Sequence, residues 1–129
     1  MVKSAAILFG IVFLVIGILG FVPAATPPMA DGNGGMLLNL FHVNTAHNIV
    51  HLASGAIFLL CGMAGAGPSR TFFKIFGLVY ALVAILGFMK GDGLILGMVA
   101  NNMADVWLHV VLAVSMLFLG FVAKDTATA

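Results

Sequence analysis

Charge is what this 129-residue sequence most lacks: Asp, Glu, Lys and Arg make up 7% of it, against 63% hydrophobic residues. A soluble domain of that length needs many more polar residues to cover its surface. With a mean hydropathy of +1.23, the composition is that of an integral membrane protein. A formal net charge of +1 is too small to hold nucleic acid. Cysteine is nearly absent as well. Cys61 stands alone in an apolar run, which excludes an intrachain disulfide and leaves a buried thiol as the expectation. No N-x-S/T sequon occurs. The GNGG stretch at Gly32 is no phosphate loop, because no strand precedes it and no Lys-Ser/Thr follows. No Ser-His-Asp or Cys-His set can be assembled, and the polar segments are too short for a soluble active site. Ser54 is expected to bond its own helix backbone. These absences point away from an enzyme.

What is present is four long apolar runs: Ala5–Val22, Ile49–Gly67, Ile75–Met89 and Val106–Ala123. About 20 mostly apolar residues cross a bilayer as a helix. Lipid offers no partner to open backbone groups, so the runs are expected to be helices. The third run is short, but Thr71, Phe72 and Phe73 extend it if Lys74 snorkels to the headgroups. The first run, with Lys3 before it and VPAAT at its end, has some look of a secretory signal. It is longer than the apolar part of such signals and recurs later in the chain, so it is expected to remain as a span. Lys3, Arg70, Lys74 and Lys124 fall on one side of the four spans and only Lys90 on the other, which predicts both termini in the cytoplasm.

The recurrence is specific. LFGIVFLVIGILGFV from Leu8 aligns with IFGLVYALVAILGFM from Ile75, and Gly10, Gly17 and Gly20 fall on Gly77, Ala84 and Gly87. Small residues seven apart share a helix face and admit a close neighbour. Downstream, Asn44, Ala46, His51 and Gly62 match Asn102, Ala104, His109 and Gly120, with His47 opposite Asp105. The first half carries nine extra residues in its loop, PAATPPMADGNGG. The reading is an all-α membrane protein: one domain, 1–129, of four transmembrane helices. It is built as two parallel helical-hairpin repeats, about 5–67 and 71–123, around an axis along the membrane normal. Two short apolar segments, MLLNLF from Met36 and LILGMV from Leu94, are expected to lie in the interface or to begin the second and fourth helices.

Histidines are the remaining surprise. His47 and His51 are four apart, as are Asp105 and His109, so each pair shares a helix face. Ionisable groups are costly against lipid, so both faces should turn inward. There they would gather a polar cluster of Asn44, His47, Asn48, His51, Asn102, Asp105 and His109, with Asn101 nearby. Three readings stand side by side. The cluster is a hydrogen-bonded core that fixes helix register, or a proton or small-solute relay. Alternatively His47, His51, Asp105 and His109 hold zinc, iron or copper, or His51 and His109 hold haem from opposite sides. His42, five residues before His47, is expected near water. Trp107 and the eight scattered methionines read as packing residues.

The stretches HNIVHLASG at His47 and ADVWLHVVLAVSMLFLG at Ala104, with GIVFLVIGILGFVP and FGLVYALVAILGF, carry a resemblance. They are similar to a widespread bacterial family of small four-span membrane proteins catalogued as a domain of unknown function. The similarity covers roughly residues 5–122. It implies the four-span fold, a multi-pass place in the bacterial inner (plasma) membrane, and importance for Asn48, His51, Asp105 and His109. Members often carry Asn where Val106 stands here, so this chain has one polar group fewer beside Asp105. The resemblance implies no reaction. The leading expectation is a non-enzymatic structural or accessory subunit, homo-oligomeric or part of a larger membrane complex. The alternatives are a metal- or haem-binding redox protein, or an oligomeric conductor.

Overall fold

A computed structural model describes residues 1–125; the last four residues of the expected 1–129 domain lie outside the described residues. Four helices are long and apolar enough to cross a membrane. They are α1 (Val2–Leu19), α2 (Thr45–Ala64), α3 (Ala66–Lys90) and α4 (Met103–Leu117), the last extended by a π-helical turn over Phe118–Val122. The short third run belongs to the longest helix, 25 residues. Its first turn contains Pro68, where a missing N–H costs no helical bond, and Lys74 lays its ammonium over the Phe121 ring, 5.1 Å from the centroid, within cation–π range. Gly65 alone connects α2 to α3, at φ 127°, a conformation open to glycine.

The chain is not all-α. Each short apolar segment forms a β-hairpin and does not open a helix. Strands β1 (Gly35–Leu37) and β2 (Phe41–Val43) pair antiparallel, as do β3 (Gly93–Ile95) and β4 (Val99–Asn101). Leu38 and Asn39 take φ of 53° and 56° in the first turn, and Leu96 and Gly97 take 53° and 70° in the second. The Leu40 amide donates to the Leu37 carbonyl and the Met98 amide to Ile95, each at 3.0 Å. Two successive left-handed residues under such a bond make a primed hairpin turn. An unbroken apolar run reads alike as strand or helix, and leucine at positive φ is disfavoured. Neither turn therefore carried its usual signal.

Helix pairing follows the small residues. A Cβ on Gly10 would stand 2.8 Å from the Leu59 amide nitrogen, and one on Gly62 would stand 3.0 Å from that of Ile7, so α1 and α2 meet backbone to backbone. In the other half, Gly77 meets the Leu117 amide at 3.1 Å and Gly120 the Lys74 amide at 2.8 Å. These are the positions that the sequence alignment pairs. Where Gly17 and Gly55 close the first pair, Ala84 and Ala113 stand in the second. There α3 and α4 flank an apolar groove of about 400 Å³ edged by Phe88 and Trp107. Between the pairs lies a core of Phe13, Phe58, Phe73, Tyr80 and Met116. At the end of the bundle holding Met1 and Asp125, Arg70 donates to the Ala123 carbonyl at 2.7 Å and pairs with Asp125 at 3.2 Å. Asp125 also accepts from the Val2 amide at 2.9 Å.

Candidate metal centre

The hairpins lie at the other end, and their attachment explains half of the polar cluster. Asn44 and Asn102 are the N-caps of α2 and α4, with φ −140° at both and ψ of −177° and −179°. Each side-chain oxygen accepts from the amide three residues on, His47 at 2.9 Å and Asp105 at 3.0 Å, satisfying a donor the helix leaves open. The side-chain amides cross over. Asn44 donates to Met98 in the second hairpin at 2.8 Å, and Asn102 to Leu40 in the first at 2.9 Å. The next pair crosses too. The Asp105 carboxylate accepts from the His42 amide, and His47 Nδ1 donates to the Ala100 carbonyl at 2.8 Å. Each helix start thus clasps the other half's hairpin.

This clasp places Asp105. Its Oδ2 holds two amides, His42 and Asn102, each at 3.0 Å, the second completing a capping box. Asp105 lines a cavity of about 70 Å³ together with His51 but does not join the histidines. Those converge: donor atoms of His47, His51 and His109 all lie within 4.8 Å of one another. The His47 ring centroid is 4.6 Å from His51 and 5.8 Å from His109. All three side chains are buried, with 3%, 4% and 3% of their surface exposed.

The bond from His47 Nδ1 to Ala100 fixes that tautomer and leaves Nε2 with a free lone pair. A carbonyl behind an imidazole is also the usual outer partner of a metal-bound histidine. His51 Nδ1 and His109 Nδ1 have no hydrogen-bond partner at all, and a buried polar atom without one calls for an explanation. Their rings are otherwise held by aromatic edges, Phe13 on His51 at 5.5 Å and Tyr80 on His109 at 5.4 Å. Three nitrogens on one ion at about 2.0 Å stand roughly 3.5 Å apart. No pair in the triad would have to close by more than about 1.3 Å, within reach of small χ adjustments.

Asn48 is buried over Gly20, its Oδ1 unpartnered. Asn101 closes the end of α3, donating to the Gly91 carbonyl at 2.8 Å, and its own Oδ1 is unpartnered. The His42 side chain is 5% exposed, with its ring nitrogens facing the carbonyls of Asn33 and Asn101, and it borders a polar cavity that Asp31 and Asp92 also line. The sequence reading missed the clasp, and it missed Phe13 and Tyr80 as walls of the site, although the repeat alignment places them opposite one another. Met98 also lines the 210 Å³ cavity against the three histidines; only the hairpin brings it there.

The family model described as "Domain of unknown function (DUF4383)" matches residues 3–122, so the chain belongs to that family. No curated protein matches, and neither does any solved structure.

Proposed function

We propose that this DUF4383 protein is a membrane-embedded, non-enzymatic holder of a single transition-metal ion, bound by His47, His51 and His109. One observation carries the reading: three imidazoles converge within 4.8 Å in a buried place, and two of them keep a nitrogen with no protein partner. Leaving such atoms unpaired in an apolar interior costs about 1–3 kcal/mol each, and a bound ion removes that cost. Asp105 stabilises the hairpin clasp and is no ligand. The cavity against the triad, about 210 Å³, favours a lone ion. A porphyrin needs a slot of at least the roughly 300 Å³ typical of organic ligands.

The chain resides in the bacterial plasma membrane as two parallel hairpin repeats about an axis along the membrane normal, with both termini cytoplasmic. The aligned glycine contacts and the crossed clasp support the repeat, and the basic residues support the orientation. A place in a homo-oligomer or larger assembly is favoured by the apolar groove between α3 and α4, where Ala84 and Ala113 stand in place of the closely packed Gly17 and Gly55.

Elemental analysis and an absorption spectrum of untagged protein, purified without chelator, test the assignment. The expected result is about one transition-metal ion per chain and no Soret band. Folded protein that is metal-free and takes up none on addition would overturn it.

A further inference from the structure

We infer that the triad is a selective site for monovalent copper, Cu(I), in preference to Zn(II) or another divalent ion. The inference rests on the metal reading above and deepens it. All three ligands are neutral. Among the described residues no carboxylate or thiol lines the cavity that touches all three histidines; its other lining residues are aliphatic or aromatic, with Tyr80 and Met98 among them. The carboxylate the sequence places nearest, Asp105, is engaged by two backbone amides. An ion held here keeps its whole charge in a low-dielectric interior, and that charging cost grows as the square of the charge. A divalent ion therefore pays about four times what a monovalent one pays.

Coordination number points the same way. Zn(II) completes a tetrahedron with a fourth ligand, usually water or an anionic side chain, and Cu(II) prefers a tetragonal set. Three imidazoles with aromatic rings closing in on His51 and His109 offer a three-coordinate place instead, which suits Cu(I). Met98 lines the same cavity but is 61% exposed, so the shell is left to the three imidazoles.

The test is anaerobic competition on the full chain in detergent. Metal-free protein is titrated with Cu(I) against a chromophoric Cu(I) chelator, and separately with Zn(II) against a chromophoric zinc chelator. One Cu(I) per chain, held at least about a hundredfold more tightly than Zn(II), is expected. X-ray absorption should show a three-coordinate, nitrogen-dominated shell. His51→Gln and His109→Gln should each weaken Cu(I) by about a hundredfold or more, and Asp105→Asn should leave the stoichiometry at one. Zn(II) binding as tight as Cu(I) would overturn this inference and leave the metal reading standing. Folded wild-type protein that binds neither ion would overturn this inference, and if it takes up no iron, cobalt or nickel either, the metal reading falls with it. The wild-type titrations decide even if a histidine variant fails to fold.

Discussion

Replacing His51 by leucine should stabilise the metal-free protein, although it removes a buried residue that the sequence marks as important. His51 is 4% exposed and its Nδ1 has no partner. Leucine of similar volume removes that desolvated atom and its penalty of about 1–3 kcal/mol. Imperfect packing against Phe13 gives back up to about 1.5 kcal/mol, so the net change runs from about −0.5 to about +3 kcal/mol, centred on a gain of about 1 kcal/mol. His47→Leu should do the reverse. It breaks the 2.8 Å bond to the Ala100 carbonyl and leaves that acceptor buried, a loss of about 1–3 kcal/mol. The assay is reversible unfolding of chelator-treated protein in mixed micelles, with both variants and wild type in parallel. Opposite signs for the two histidines are the expected signature of a site preorganised for a ligand. If His51→Leu loses as much stability as His47→Leu, then His51 is held by protein contacts and the argument from its orphaned nitrogen fails.

Gly10→Ala should cost about 1–3 kcal/mol by overpacking, since its Cβ would meet backbone at 2.8 Å. Gly67→Ala, with open space around it, should gain about 0.4–1 kcal/mol; the same unfolding assay reads both. Asn102→Ala removes a helix cap and the bond to Leu40, an expected loss of about 1–3 kcal/mol, with faster amide exchange in the first hairpin as its local sign. The Val2 amide, the terminal amine and Arg70 hold the Asp125 carboxyl down to about 2. Its folded value lies below its unfolded one, so its contribution is complete above about pH 4 and is lost as pH falls toward 2. Asp125→Asn should flatten the acid limb of a stability–pH profile between those values; an unchanged limb would show that the clamp contributes nothing.

The four spans were legible because lipid makes run length and charge placement nearly sufficient: any 20-residue apolar segment must satisfy its own backbone, and a helix does that locally. The glycine faces were legible because the alignment of the two halves separates patterned glycines from incidental ones. Gly10, Gly62, Gly77 and Gly120 all sit at backbone contacts. The hairpins were not legible. Three-residue strands are too short to show alternation, and Leu38 and Leu96 stand where turn chemistry normally puts Asn or Gly.

For the candidate site, the four-residue spacing and the inward turn of both faces followed from helix geometry and the cost of polar groups in lipid. That reasoning treats His47 and Asp105 alike, because it sees only helix faces. Their fates diverge through contacts with segments more than 50 residues away in sequence, the Ala100 carbonyl and the His42 amide.

The sequence alone determined that the chain lives in a membrane, how many times it can cross, and which side chains cannot face lipid, since each follows from local composition and transfer free energy. Only the tertiary structure decided which of those side chains meet. It gave the asparagine caps and Asp105 to the crossed hairpins and left His51 and His109 with open nitrogens beside His47. Hydrogen-bond partners far apart in sequence are chosen by distances that no local pattern encodes.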